Sequence, residues 1–189
     1  MRSFPGHHAV NIFISLVLIA LLSACDGNTE LMNETISGDP QSVQDHLALG
    51  ADIHARNNYG WTTLMHAARQ NHVDIVALLL DSGADINAQD DKGWTALMRS
   101  TSRGHLETTR LLLERGAEID LADENGWTPL LWATNQGHTE VVQTLLVNGA
   151  DINTRSKDGR TAMNIAQREN YGEILTILEQ ARVKQKQGR

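Results

Sequence analysis

Four glycines, Gly60, Gly93, Gly126 and Gly159, recur at intervals of 33 residues, and each opens a near-copy of one phrase: GWTTLMHAARQNH, GWTALMRSTSRGH, GWTPLLWATNQGH and GRTAMNIAQRENY. A fixed period of this length means one small structural unit stacked along an axis, so the surface created by stacking is where function is to be sought. The second half of each period agrees as well, as LLLDSGADINAQD, LLLERGAEIDLAD and LLVNGADINTRS.

Each unit follows from local chemistry. Thr62, Thr95, Thr128 and Thr161 are placed to cap a short helix through the hydroxyl, and Pro129 stands at a first helical position, where the missing N–H costs nothing. Asn71, Gly104, Gly137 and Asn170 are expected to end that helix. A second helix follows with the apolar spacing of Val73, Ile75, Val76, Leu79 and Leu80, stopping at Gly83 and its counterparts Gly116 and Gly149. The polar tract that leads to the next glycine reads as a projecting hairpin-like turn. Neither helix is long enough to persist alone in water, so neighbouring units must supply the stability.

The register also runs backwards from Gly60, through Gly27, Thr29, Leu31, Gly38, Val43, Leu47 and Gly50. Five units are therefore expected, at about 27–59, 60–92, 93–125, 126–158 and 159–183, within a repeat domain spanning 31–183. The outer two are atypical, as caps whose outer face has no neighbour: Glu34 and Thr35 replace an alanine pair, and Glu179 replaces a leucine.

In register, these phrases resemble the ankyrin repeat, with its T-P-L-H…G-H…V-V-x-L-L…G-A-D-x-N pattern. The resemblance implies an all-α solenoid of five stacked helix-turn-helix units with projecting β-turn tips. It also implies a structural role for His72, His105 and His138, whose rings would bond backbone groups of adjacent repeats. Stacked helices lie about 8–10 Å apart, too far for equivalent histidines to share one zinc ion.

The amino terminus concerns location. Residues 9–22 form an apolar run suited to a secretory signal and short for a membrane span, and it ends in Leu22-Ser23-Ala24-Cys25, which resembles the bacterial lipobox. Residues 1–24 then read as a lipoprotein signal peptide and Cys25 as the acylated residue, with 25–30 a short tether reaching about 18 Å at most. Cys25 is the only cysteine in the chain, which suits an oxidising periplasm and excludes an internal disulfide. Asp26 resembles the signal that retains such proteins at the inner membrane.

From Cys25 onward 15 basic and 23 acidic residues give a formal charge of about −8. Such a chain is a poor nucleic-acid binder, and no nucleic-acid motif is present. Arg182, Lys184, Lys186 and Arg189 form a basic end, with 184–189 read as a solvated, frayed tail. No catalytic residues, cofactor or metal site are expected. The H-x-E strings at His105 and His138 lack the P-C-x-x-C partner of zinc deaminases, and Asp123-Glu124-Asn125-Gly126 would put Leu121 and Trp132 at the ends of a calcium loop.

What remains is an array of exposed side chains. The first-helix face opposite Leu64, Ala67 and Ala68 carries Thr63, His66, Arg69 and Gln70, then Ala96, Arg99, Ser102 and Arg103. Pro129, Trp132, Asn135 and Gln136 follow, then Ile165, Arg168 and Glu169. Turn tips add Tyr59, Trp61, Lys92, Trp94, Asn125, Trp127 and Arg160, so all four tryptophans fall on one surface. Trp and Arg are the residues most enriched at binding hot spots. Trp61, Trp94, Trp127, Trp132, His66, Arg99, Arg103 and Arg168 are accordingly the expected contacts to an unidentified protein partner of a monomeric, periplasm-facing lipoprotein. An enzyme or small-ligand receptor with a site in the same groove is the competing class.

Overall fold

The structure is a computed structural model that describes residues 26–187. The apolar run, the lipobox and Cys25 lie outside the described residues. Those residues contain ten helices: α1 (Glu30–Ser37), α2 (Pro40–Ala48), α3 (Thr63–Gln70), α4 (Val73–Asp81), α5 (Ala96–Thr101), α6 (Leu106–Glu114), α7 (Pro129–Asn135), α8 (Thr139–Val147), α9 (Ala162–Arg168) and α10 (Gly172–Gln187). They pair antiparallel within each unit and stack in two rows. The odd-numbered helices form an inner row and the even-numbered ones an outer row, each packing on its predecessor.

Threonine hydroxyls start the inner helices. Thr62, Thr95, Thr128 and Thr161 accept from the backbone N–H three residues on, at 3.2–3.5 Å, and Thr29 does the same for α1. Pro129 opens α7 at its first turn. Asn71 closes α3 with φ 62°, a left-handed cap that asparagine tolerates.

His105 and His138 lie between repeats and donate from Nε2 to the carbonyls of Arg69 at 2.9 Å and Ser102 at 3.2 Å. His72 departs from this pattern: its Nε2 is buried without a hydrogen-bond partner. It packs so closely on Gly38 that a Cβ there would meet the ring at 2.6 Å. In the fifth repeat Tyr171 stands at this position, against Gly137.

Two expectations for the chain ends are corrected. Residues 26–30, read as a free tether, are docked on the stack: the Asp26 carbonyl accepts from the Asn58 N–H at 3.0 Å, and Asn28 Oδ1 accepts from Asn57 Nδ2 at 2.7 Å. They serve as the turn tip of the first repeat, in the register that Gly27 marks. At the other end, α10 runs to Gln187 over a segment read as a frayed tail. Nothing after Gly172 breaks a helix until Gly188, and Leu175, Ile177 and Ala181 pack on the buried cluster beneath.

The buried apolar side chains fall into two clusters. One runs from Leu31 to Leu112, the other from Trp127 to Leu178. Between them lies a polar layer in the third repeat, where Ser100, Thr101, Thr108 and Thr109 are all fully buried. Read from sequence, four hydroxyls at core positions must bond back to the helix or go unsatisfied; each one is bonded. Ser100 Oγ reaches the Leu97 carbonyl at 3.0 Å and Thr109 Oγ1 at 3.0 Å, Thr101 reaches the Met98 carbonyl, and Thr108 Oγ1 donates to Asn71 Oδ1 at 2.7 Å across 37 residues. Ser100 and Thr101 bond back to their own helix, whereas the partners of Thr109 and Thr108 lie on the preceding helix and the preceding repeat, which a single helix does not reveal. From sequence alone the paired change Thr108→Val with Thr109→Val is expected to stabilise; with Thr108 bonded to Asn71, Thr108→Val is instead predicted to lose about 1 kcal/mol. Denaturant unfolding of the variant checks this; a raised midpoint would mean that the bond across repeats contributes nothing.

Candidate protein-interaction groove

Each turn tip is held by one side chain three residues before the repeat glycine. Asn57 Oδ1 accepts from the N–H groups of Tyr59 and Trp61, Asp90 Oδ1 from Lys92 and Trp94, and Asp123 Oδ1 from Asn125 and Trp127, at 2.8–3.0 Å. Ser156 Oγ accepts from Arg160 in the fourth. These turns orient the residue after each glycine toward the inner helices. The glycines permit adjacent tips to touch: a Cβ on Gly60 would lie 2.8 Å from the Asp91 nitrogen, and φ is 74°.

The second carboxylate oxygen faces the inner helix. Asp90 Oδ2 pairs with the Arg99 guanidinium, and Asp123 Oδ2 accepts from Trp132 Nε1 at 3.2 Å. One acidic side chain thus couples the tip to the groove face. Sequence reasoning missed Asp90 and Asp123. The signal was present as Asn57, Asp90, Asp123 and Ser156, all small hydrogen-bonding residues at one register position.

The rings form a continuous ladder across repeats. His66 lies against Trp61 at 5.0 Å, and the Arg99 guanidinium sits between indoles, 3.7 Å from the Trp61 centroid and 4.4 Å from that of Trp94. Trp94 continues to Trp132 at 4.5 Å, Trp132 to Trp127 at 4.7 Å, and Arg160 covers Trp127 at 5.5 Å. Trp61 and Trp94 thus pack on the inner-helix residue of their own repeat and of the next, whereas Trp127 meets that of its own repeat and the tip residue Arg160 of the next. Cation–π contacts of this kind are worth about 0.5–2 kcal/mol each, more where water is excluded.

The ladder separates the expected contacts into groups. Trp61, Trp94, Trp132 and Arg99 come together half-buried, while Arg69 and Arg103 are exposed beside them. Trp127 and His66 are corrections: at 8% and 7% exposure neither presents a surface to a partner. Trp127 is covered by Trp132 and Arg160 and joins the buried cluster containing Ile165, while His66 lies beneath Trp61. Arg168 lies apart, ion-paired with Glu169 at 2.7 Å. Thr63, Ala96, Pro129 and Ile165, placed on the groove from sequence, are buried too. The first three occupy the opening turn of their helices, tucked beneath the tips.

A cleft of about 720 Å³ opens between the tips, walled by Tyr59, Trp61, Trp94 and Trp132 with Asp91, Lys92 and Glu124 at its edge. A second, of about 260 Å³, lies on the other side of the Trp61–Arg99–Trp94 stack, toward the inner helices. The outer face differs, with a shallow depression among Arg110, Glu114, Glu140 and Gln143. Among the described residues, no three His, Cys, Asp or Glu side chains are placed to hold a metal ion.

A model for ankyrin repeats (3 copies) matches residues 22–123 and 117–187, most of the chain. The chain belongs to the ankyrin-repeat family. Ankyrin repeats generally mediate protein–protein interaction, and the family is typically non-enzymatic. The repeats are also similar to the ankyrin repeat, SAM and basic leucine zipper domain-containing protein 1 of Carollia perspicillata, 41% identical over 58 residues. That match covers 28% of this chain and 12% of the other, so the similarity is one of repeats.

Electrostatics in this ankyrin groove yield two tests. Asp90 and Arg99 are 2% and 14% exposed at the side chain, so removing one strands the other. Asp90→Ala is predicted to cost about 3 kcal/mol, and Asp90→Asn less, measured by chemical unfolding. His66 has its pKa pushed down to about 4, chiefly by burial and then by Arg69 and Arg99. Its folded-state pKa lies below the unfolded value, so the unfolded chain binds the extra proton first. That contribution to stability, up to about 3 kcal/mol, is present above pH 6.5 and is lost as pH falls toward about 4. His66→Phe should flatten the stability curve over this window; an unchanged slope would mean His66 is not the titrating group.

Proposed function

We propose that this ankyrin-repeat chain is a membrane-tethered, periplasm-facing interaction module, monomeric, that binds a protein partner through its inner groove and turn tips. As a scaffold, an enzyme protector or an immunity-like inhibitor it would act by occupancy rather than chemistry. The observation that carries this reading is the half-buried Trp61–Arg99–Trp94–Trp132 stack bordering two clefts on one face. Rigid aromatic and guanidinium groups bury much area with little loss of rotamer freedom, and here they are already ordered by Asp90 and Asp123. The acidic balance of the chain argues for a protein rather than a nucleic acid as partner.

The tether in this reading is an acyl group on Cys25, after cleavage of residues 1–24, with Asp26 favouring the inner membrane. Asp26 is bonded into the row of tips, so an anchor one residue away would keep that edge of the solenoid close to the bilayer.

Two experiments test the parts separately. Cys25→Ser is expected to abolish partitioning into detergent while leaving the far-UV spectrum unchanged; persistent partitioning with normal processing would refute acylation. For the groove, the partner captured by the tethered chain is titrated against Trp94→Ala, Trp132→Ala and the outer-face control Arg110→Ala, with melting curves alongside. The two tryptophan variants are expected to lose about 2 kcal/mol or more of affinity, beyond any loss of fold. Equal affinities for all three would place the site elsewhere.

A further inference from the structure

Three arginines elsewhere on the solenoid are paired with carboxylates. Arg115 pairs with Asp81 at 2.6 Å, Arg160 with Asp158 at 2.7 Å and Arg168 with Glu169 at 2.7 Å. The inner groove gathers its arginines without that neutralisation. Its cleft of about 260 Å³ holds Arg69, Arg99, Arg103, Ser102 and Gln136 around the Trp61 and Trp94 indoles, with no carboxylate in the lining. Asp90 answers Arg99 alone, and among the described residues neither Arg69 nor Arg103 has an ion-pair partner.

The chain as a whole carries a formal charge of −7, so three guanidiniums converging on one cleft invert the local field. Burial and mutual repulsion both act against them. Arg69 has its pKa lowered by burial and then by Arg103, and Arg99 is brought down to about 10 by burial first, with Arg69 and Arg103 adding to it against the pull of Asp90. Fixing like charges together is unfavourable unless something compensates them; Asp90 does so for Arg99, while Arg69 and Arg103 face solvent and are open to an anionic group from outside the chain. Beyond about 8 Å at physiological ionic strength the net negative charge is screened, so the local cluster decides the sign that a partner meets.

We infer that the groove selects an acidic segment of the protein partner, with Arg69, Arg99 and Arg103 gripping a glutamate or aspartate side chain. This deepens the reading of the groove as a protein-binding surface and rests on it. A guanidinium fork matches a carboxylate bidentately, and Ser102 and Gln136 add hydrogen-bonding side chains at the same cleft. The Trp61–Arg99–Trp94 stack forms the wall between this cleft and the aromatic one beyond it. A bound acid therefore lies beside an apolar receptor, and the segment that fits carries an acidic residue with a large apolar neighbour. Arg99 is held by the indoles and by Asp90, so it is pre-set; Arg69 and Arg103 are the exposed pair that closes on the carboxylate.

The test is selection of a display library of random twelve-residue peptides on the immobilised full chain in mild detergent. Selected peptides are then titrated against the wild-type chain, Arg69→Gln/Arg103→Gln, Trp94→Ala and the outer-face control Arg110→Gln. Enrichment of Glu or Asp is expected, with binding weakened about ten-fold or more by the double arginine change and by Glu→Gln in the peptide, and within about two-fold for the control. Peptides that lack acids, bind the double variant as well as wild type and are lost on Trp94→Ala would overturn the acidic selectivity and leave the groove reading standing. Peptides indifferent to both sets of changes, or none selected, would remove both. Inorganic phosphate that raises the melting temperature of the wild type alone, with no acidic peptide selected, would make this a small-anion site and overturn the inference. Circular dichroism of each variant separates lost binding from lost fold.

Discussion

One backbone contact, repeated along the row of tips, sets the geometry of everything else. The N–H of Asn58 reaches the carbonyl of Asp26, Asp91 that of Tyr59, Glu124 that of Lys92 and Lys157 that of Asn125, at 2.9–3.2 Å. Each bond requires two tips to approach more closely than a side chain allows, which is why glycine stands at the head of each of the first four repeats; Gly159, at the head of the fifth, has no tip beyond it and keeps only the positive φ of 80°. Helices of six to nine residues cannot persist alone in water, so they form only where this spacing lets each inner helix pack on the next. The same spacing brings a tip tryptophan of one repeat onto the inner helix of the following one. The Trp61–Arg99 contact, 38 residues apart in sequence, is a consequence of the stacking.

The proposed binding surface and the stabilising core are therefore not separate on the inner face. The indoles that border the clefts also shield Arg99, and Asp90 both shapes its turn and compensates that guanidinium. A groove built this way is ordered before a partner arrives, which lowers the conformational cost of association. Among the described residues the ring-on-ring contacts are all on this inner face, and the outer depression is lined by side chains such as Arg110, Glu114 and Glu140.

The architecture was legible in the sequence because its determinants are local and repeated. A threonine three residues before the amide it caps, a left-handed residue after each helix and a glycine at each tip are readable one unit at a time. The candidate site was legible as a face and not as a set of contacts. Trp127 and Trp94 hold equivalent positions, yet Trp127 is buried because Arg160 covers it and Ile165 follows in its cluster, and that depends on the next repeat. His66 was indistinguishable in pattern from Arg99 and Trp132; it is buried under Trp61, whereas they border the open clefts. The Thr108 and Thr109 hydroxyls looked like defects because their partners, the helix-capping Asn71 of the preceding repeat and Ser100 of the preceding helix, lie outside their own helix. The docking of Asp26 and Asn28 was hidden in a different way: the first repeat is so degenerate that its tip reads as linker.

The central claim is that a partner sits across the inner helices and the tips. Hydrogen–deuterium exchange of the complex with the captured partner tests it without any substitution, because protection reports where the backbone is covered. The account predicts added protection at the tips around Tyr59–Trp61 and Lys92–Trp94 and along α5 and the start of α7, with α4, α6 and α8 unchanged. Protection confined to those outer helices, or to α10, would contradict it.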